Sequence, residues 1–352
     1  MMKKGESFMQ IKEVAKQLNT TPRAIRFYEE KGLIAPKKDA ENEYRYFSDT
    51  DVSRLSTILA LREIGLPVKG IKKVLEDPDM TIKGYLHVQR SALVEQWLEI
   101  KDMIDTIDRM VECTDRDFYE LAQHLKKLKH LRKGWEDKWG FDSWAEDFDN
   151  HIKQEGHGFN VHQGYDEALE RIAGTVHLDE HAVCADIGVG TGNLGAKFLA
   201  KGINVIGIDQ SKKMLEICNK KHPEIEVRHG HFLALPLLDS QVDTVVSSYA
   251  LHHLPDSEKL LALSEMTRVL KPNGQICIAD LMFLDETHQA EVMDALRMEG
   301  NTEAIEAIED EYYADRSLLV KWLEENQYKV ETVMFNDILS MIYAKKVDKD
   351  GS

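Results

Sequence analysis

The spacing of apolar residues divides the chain into three regions of different construction. Ile11, Val14, Ala15 and Leu18 recur at helical intervals, and Asn19-Thr20-Thr21-Pro22 then breaks that helix and opens a second over about Pro22–Lys31. The second helix would bury Ile25 with either Tyr28 or Phe27, and Gly32 ends it. Tyr44-Arg45-Tyr46-Phe47 reads as a short hairpin or wing, followed by a helix over Asp49–Ile64 and a shorter one opened by Pro67 and running through Leu75. From Lys83 to about Lys127 there is no proline, and the pattern predicts one long helix. Its seam is Leu86, Leu93, Trp97, Ile100, Ile104, Ile107 and Val111, interrupted by Arg90. Such a seam needs a partner, which is either a second copy of the chain or the chain's own following domain. Beyond Gly134–Gly140 and an aromatic stretch containing Trp144, Phe148 and Tyr165, short apolar runs alternate with helical patterns, as an α/β fold with a parallel sheet requires.

Composition bounds this outline without changing it. At 352 residues, 43% of them hydrophobic, the chain is long enough for two domains of roughly 150 residues. No apolar run approaches the roughly 18 to 20 residues of a membrane-spanning helix. The first eight residues lack the apolar core of a secretory signal, so the expected location is the cytoplasm. Cys113, Cys184, Cys218 and Cys277 are isolated in sequence, which argues against a disulfide framework or a zinc site, and no metal is expected. Charge separates the regions. Met1–Pro78 carries fifteen Lys and Arg against twelve Asp and Glu, an excess of +3, so the remainder holds −20 of the total −17. Only the first region is then suited to a polyanion.

Arg23 and Arg26 project from the start of the second helix, where a recognition helix meets base edges and phosphates. The run from Ile11 to Ala15, Thr21-Pro22-Arg23-Ala24-Ile25-Arg26-Phe27-Tyr28-Glu29, Gly32-Leu33-Ile34 and Tyr44-Arg45-Tyr46 resemble the DNA-binding domain of MerR-type transcription regulators over residues 9–78. The resemblance implies a winged helix-turn-helix. It places Thr21, Arg23, Arg26 and Tyr28 on the recognition helix and Tyr44, Arg45 and Tyr46 on the wing. It also implies a coiled-coil dimerisation helix over residues 79–134, a homodimer through residues 86–111, and a pseudo-palindromic promoter as the DNA partner.

Val183–Ile187 is a short buried strand that runs into Gly188-Val189-Gly190-Thr191-Gly192, and Val205–Asp209 is the next strand, ending in an acid 23 positions after Asp186. A glycine turn between strand and helix lets backbone approach a ligand, and an acid after the second strand can hold ribose hydroxyls. The dinucleotide fingerprint fails at Asn193. Instead, Asp186-x-Gly188-x-Gly190-x-Gly192, Gln210–Leu215, Val227–Phe232, Val269–Ile276 and a closing hairpin over Val330–Phe335 and Ile338–Lys345 resemble the class I S-adenosylmethionine-dependent methyltransferases over residues 141–347. That implies a Rossmann-like domain with a seven-stranded, mostly parallel sheet and S-adenosylmethionine as cofactor. Its contacts would be Asp186, Gly188, Gly190, Gly192, Asp209, Gln210, Met214, Phe232 and Ser248, with His231 where relatives often carry an aspartate to the adenine.

Tyr249 and His252–His253 follow the strand Val242–Ser248 at its carboxyl end, where ligands sit in such sheets. His252 or His253 is the candidate base for an acceptor that must lose a proton. Trp144, Phe148, Tyr165 and Tyr249 either line the pocket of a small-molecule acceptor or serve packing. The whole reads as a transcription regulator fused to a methyltransferase. The alternative is a regulator whose methyltransferase-like domain senses a ligand without turnover.

Overall fold

The computed structural model describes residues 8–38, 44–76, 82–112, 117–133, 140–152 and 160–347. The chain divides into two compact units, Met1–Leu86 and His87–Ser352.

In the first unit, β1 (Phe8–Gln10) leads into α1 (Ile11–Gln17), and α2 (Pro22–Glu30) follows. The hydroxyl of Thr21 accepts the Ala24 N–H at 3.1 Å, so the residue caps α2, with Pro22 in the first turn. The chain leaves through Gly32 at φ 71°, a left-handed conformation that favours glycine. β2 (Lys37–Lys38) and β3 (Arg45–Ser48) complete a three-stranded sheet in the order β1-β3-β2. Ser48 and Asp51 form a capping box at the start of α3 (Asp49–Glu63), and α4 (Val68–Glu76) closes the unit. Val14, Ile25, Leu33, Phe47, Leu55, Ile58 and Ile71 are fully or almost fully buried at its centre. Of the two candidates for burial beside Ile25, Tyr28 enters this core at 7% exposure while Phe27 stays 40% exposed, because the periodicity that buries Ile25 also buries the residue three positions on; Tyr28 is thus on the recognition helix but not on its outer face.

The single long helix expected from Lys83 to Lys127 is instead α5 (Ile82–Glu112) and α6 (Phe118–Lys133). The guanidinium of Arg132 pairs with Asp102. In one straight helix these residues would lie about 45 Å apart, at 1.5 Å per residue. The chain must therefore reverse between them. The seam of α5 is also divided. Val94 and Leu98 are buried with Trp97 against Ala234 of the second unit, whereas Leu93, Ile100, Ile104, Ile107 and Val111 remain 52–80% exposed.

The second unit is built on β4 (Val183–Ile187), β5 (Asn204–Asp209), β6 (Glu226–His229), β7 (Val242–Ser248), β8 (Leu270–Phe283), β9 (Ala314–Asp315), β10 (Tyr328–Met334) and β11 (Leu339–Lys346). The order is β10-β11-β8-β7-β4-β5-β6, parallel from β6 to β8 and antiparallel through β11 and β10. The expected seven strands become eight. β9, two residues without a strand pattern of their own, pairs with the end of β8 through Met282–Ala314 and Phe283–Asp315.

Alternate residues of the central strands enter two core layers. Cys184, Val205, Val246, Cys277 and Ala279 face one, with the helices Tyr165–Thr175 and Asn193–Leu199. Ala185, Ile206, Val245, Ile276 and Ile278 face the other, with the helices Asp256–Val269 and Arg316–Glu325. Consecutive strands diverge on either side of β4, and the crevice beyond the carboxyl ends of β4 and β7 lies at that reversal. No helix among the described residues is long and apolar enough to cross a membrane.

Candidate active site

The crevice holds a cavity of about 420 Å³, within the roughly 300 to 1,000 Å³ common for small-molecule sites. One end is made by the loop after β4. Gly188 has φ 72°, and a Cβ there would lie 2.4 Å from the Cβ of Ala250, so only glycine fits between the loop and the chain after β7. Asp209, at the end of β5, accepts the Gly190 N–H on Oδ2 at 2.9 Å and the Ser211 N–H on Oδ1 at 2.8 Å. One carboxylate thus fixes the glycine loop and the turn after β5 together. Gln210, Met214, Gly230, His231 and Phe232 continue the wall.

Two short helices, Phe141–Trp144 and Phe148–Ile152, bring Phe141, Trp144 and Phe148 to the cavity. Two acids tie them down. Asp142 accepts the Ser211 hydroxyl at 2.6 Å and the Lys213 N–H at 3.2 Å, and the first of these bonds holds its carboxyl below the usual range. Asp149 takes the Thr191 hydroxyl at 2.7 Å, the Asn193 amide at 3.0 Å and the Lys221 ammonium at 2.6 Å. Burial opposes its ionisation, but these donors prevail and lower its pKa. Nothing in the local sequence marks either acid as a tether. Its partners are known only once the helices are laid across the loop.

The other end carries charge. Asp280, 0% exposed within β8, accepts the Ala250 and Leu251 N–H groups on Oδ2 at 2.9 and 2.7 Å. Its Oδ1 takes the Leu281 N–H at 2.7 Å and Nδ1 of His252 at 2.5 Å. Burial disfavours a charged His252 imidazole, but the adjoining Asp280 carboxylate outweighs it and raises the pKa. Nε2 of the same ring lies 3.8 Å from the Glu311 carboxylate, whose pKa burial raises. The His253 ring lies against that of His252 with centres 4.0 Å apart and planes tilted by 53°, and it meets Phe141 edge-on. Tyr249, at φ 49°, stands between the two ends. Its hydroxyl is buried and finds no hydrogen-bond partner among the described residues.

Most residues expected at the site line this cavity: Trp144, Phe148, Gly188, Gly190, Asp209, Gln210, Met214, His231, Phe232, Tyr249, His252 and His253. Four do not. Asp186 is 1% exposed behind the loop, on the same strand face as Cys184, with the Gly195 N–H facing it; burial pushes its pKa up to about 7. Gly192 instead begins the helix after the loop, where a Cβ would meet His222 and Cys218 at 2.8 and 2.9 Å. Tyr165 packs on Tyr249 and accepts the Asn193 amide at 3.3 Å, while Ser248 stays in the ladder opposite Ala279. Asp280 and Glu311 were not anticipated. An acid inside the apolar run Ile276–Phe283 was a legible sign of a buried partner for Asp280. Glu311 offered no such sign. His231 accepts the Leu233 N–H on Nδ1 at 3.3 Å, and burial pushes its pKa down to about 4, so the neutral ring carries its hydrogen on Nε2.

Strands that run parallel from β6 to β8 and finish in an antiparallel edge, with a nucleoside-sized crevice at the reversal, place the second unit among the class I methyltransferases. Residues 184–274 match the family described as methyltransferase domain. An uncharacterized methyltransferase of Oceanobacillus iheyensis is 34% identical over 208 residues, which is 59% of this chain and 96% of that protein. Another, of Alkaliphilus oremlandii, is 36% identical over 174 residues, 49% of this chain and 80% of that protein. The chain belongs to this methyltransferase family. Residues 9–77 match the family described as MerR HTH family regulatory protein, and the first unit is a MerR-type helix-turn-helix domain. The magnesium protoporphyrin IX methyltransferase of Synechocystis, solved with bound SAH, superimposes with a TM-score of 0.47 at 17% identity, over 59% of this chain and 96% of that one.

Class I methyltransferases draw on S-adenosylmethionine, and the residues present fit it. The loop is cut back to glycine where a Cβ would block it, a carboxylate stands at the second strand end, and Met214, Phe232 and Trp144 supply apolar walls.

Proposed function

We propose that the chain is a DNA-binding transcription regulator joined to a methyltransferase that acts on a small molecule. The observation that carries this is the two-ended cavity, with a backbone cradle at one end and a cluster of proton-handling groups at the other. Asp209 holds the ribose hydroxyls, Gly188 and Gly190 border the methionine part, and Met214 and Phe232 flank the adenine. His231 donates from Nε2 to a ring nitrogen, since in this tautomer it cannot accept the adenine amine as an aspartate would. The cofactor supplies a methyl group on a sulfonium, transferred by in-line displacement. The protein's part is to align donor and acceptor and exclude water. Trp144 and Phe148, held by the Asp142 and Asp149 tethers, cover the cavity. Tyr249, His252 and His253 form the acceptor end and position the acceptor's nucleophilic atom. Aromatic covering on this scale favours a small acceptor over a macromolecular one. Calorimetry with S-adenosylmethionine and transfer of a labelled methyl group test the reading. Tight binding with no product from a broad set of acceptors would support a sensor instead.

In the regulatory half, spanning residues 9–78, Arg23 and Arg26 stand exposed on α2, and Tyr44, Arg45 and Tyr46 form the wing. Glu29 fixes the wing to the recognition helix through Arg45 at 2.6 Å. Residues 79–134 would join it to the methyltransferase at 141–347. The exposed stripe Leu93, Ile100, Ile104, Ile107 and Val111 would pair with a second copy, setting two recognition helices on a pseudo-palindromic promoter. Ile104→Glu with Ile107→Glu should yield a monomer by sedimentation with its cofactor affinity intact, and Arg26→Ala should weaken promoter binding about tenfold.

A further inference from the structure

We propose that the acceptor end of the cavity is a divalent transition-metal site, with His252, His253 and Glu311 as its protein ligands and its remaining positions open to the methyl acceptor. One ligand atom from each of the three side chains lies within 4.8 Å of the others. Imidazole nitrogen and carboxylate oxygen bind such ions at about 2.0 to 2.2 Å, so neighbouring ligand atoms in a tetrahedron stand roughly 3.3 to 3.6 Å apart. The 3.8 Å between Nε2 of His252 and Oε2 of Glu311 is close to that edge, yet too long for a direct hydrogen bond. The spacing suits two groups sharing an ion better than two groups sharing a proton.

The surroundings support the same assignment. Metal-binding histidines commonly give their other ring nitrogen to a carboxylate that fixes orientation. Here Nδ1 of His252 is 2.5 Å from Asp280, whose second oxygen is pinned by two backbone N–H groups. All three ligands line the cavity, so open coordination positions would face the bound acceptor, the arrangement of catalytic rather than structural sites. Two imidazoles with one carboxylate suit Zn²⁺, Fe²⁺, Co²⁺ or Mn²⁺, while Mg²⁺ and Ca²⁺ prefer oxygen throughout. The hydroxyl of Tyr249, which also lines the cavity, is buried without a hydrogen-bond partner among the described residues. A buried hydroxyl left so is costly, and an ion-bound water or acceptor oxygen would satisfy it.

The role of such an ion rests on the methyltransferase reading, whereas its binding does not. Coordination lowers the pKa of an acceptor hydroxyl or thiol, so the nucleophile forms near neutral pH and its proton leaves to water. The acceptor's lone pair then forms the new bond to carbon as the carbon–sulfur bond of the sulfonium breaks. The bonding pair passes to sulfur, which loses its positive charge. The acceptor class implied is a hydroxyl or thiol able to ligate a metal.

The test uses the full chain, freed of metal by chelation, titrated with Co²⁺ by visible absorption and with Zn²⁺ by calorimetry. The expected result is one ion per chain at micromolar or tighter affinity. His253→Ala and Glu311→Gln should each weaken it at least tenfold, and Asp280→Asn about 10- to 100-fold. Unchanged thermal unfolding and S-adenosylmethionine affinity in these variants would show that the fold is intact. Absence of Co²⁺ and Zn²⁺ binding up to millimolar concentration would overturn the proposal. So would binding that His253→Ala and Glu311→Gln leave unchanged. Metal binding without methyl transfer would count against the enzymatic reading and leave the ion site standing.

Discussion

The two ends of the cavity are made by different means. The glycine-loop end, the proposed cofactor cradle, is largely backbone: Gly188 and Gly190 in left-handed conformations, with one carboxylate, Asp209, reaching across 19 residues to hold the loop. The histidine end, proposed for the acceptor, is made of side chains from distant elements. His252 and His253 follow β7, Asp280 lies inside β8, and Glu311 follows the helix Thr302–Asp310. A backbone cradle tolerates little variation, because its geometry is set by which residues lack a Cβ. An assembly of side chains can change specificity one residue at a time while the sheet beneath it stays the same. Any enzyme that must keep one cofactor and vary its acceptor benefits from this division.

Substitutions can break that contrast in graded steps. Asp280→Asn should have the largest effect, lowering methyl-transfer kcat about 10²- to 10⁴-fold while cofactor Kd stays within threefold, because it disorients His252 without touching the cradle. Equal losses in both quantities would show that the ends are not separate. Asp209→Ala should do the reverse, raising cofactor Kd about 100-fold in calorimetry through loss of the ribose contact and of the loop clamp. Asp142→Ala, which frees one covering helix, should raise cofactor Kd only about three- to tenfold and speed cofactor dissociation in stopped flow.

The smallest effect on function, but a distinct one on stability, belongs to Asp186. Its folded pKa of about 7 lies above the usual value of 3.8, so between these limits the folded chain holds a proton that the unfolded chain has lost. This group's contribution is most favourable below about pH 4 and falls as pH rises toward 7, by on the order of 2 to 4 kcal/mol. Urea unfolding across that range should show Asp186→Asn losing less stability than the unmodified chain. Parallel slopes for the two proteins would exclude the buried charge.

Legibility followed the same division. The glycine loop, the acid after β5 and the histidine pair were readable because each is a short run whose local geometry its own residues impose. The helix-turn-helix was readable for the same reason, with Thr21, Pro22 and Gly32 marking its ends. Asp186 and Gly192 belong to the readable motif but do not line the cavity, since they serve the strand and the helix that shape the loop. Periodicity left Tyr28 and Phe27 as alternatives for burial beside Ile25, and packing chose Tyr28. The long helix was predicted without its reversal. Heptad spacing reports an apolar stripe and is silent on where the chain turns back.

By itself the sequence determined the main helices and strands along the chain, the glycine loop and the aromatic segment before it, because period, capping and glycine act over a few residues, and its motifs carried the resemblance to the two kinds of domain. Tertiary structure alone decided the acceptor end. Asp280 meets His252 across 28 residues, and His252 meets Glu311 across 59, distances over which only the packing of whole elements fixes which side chains converge. It also decided that Trp97 would turn inward while Leu93, Ile100, Ile104, Ile107 and Val111 stayed exposed, since burial depends on what lies opposite and not on the stripe itself.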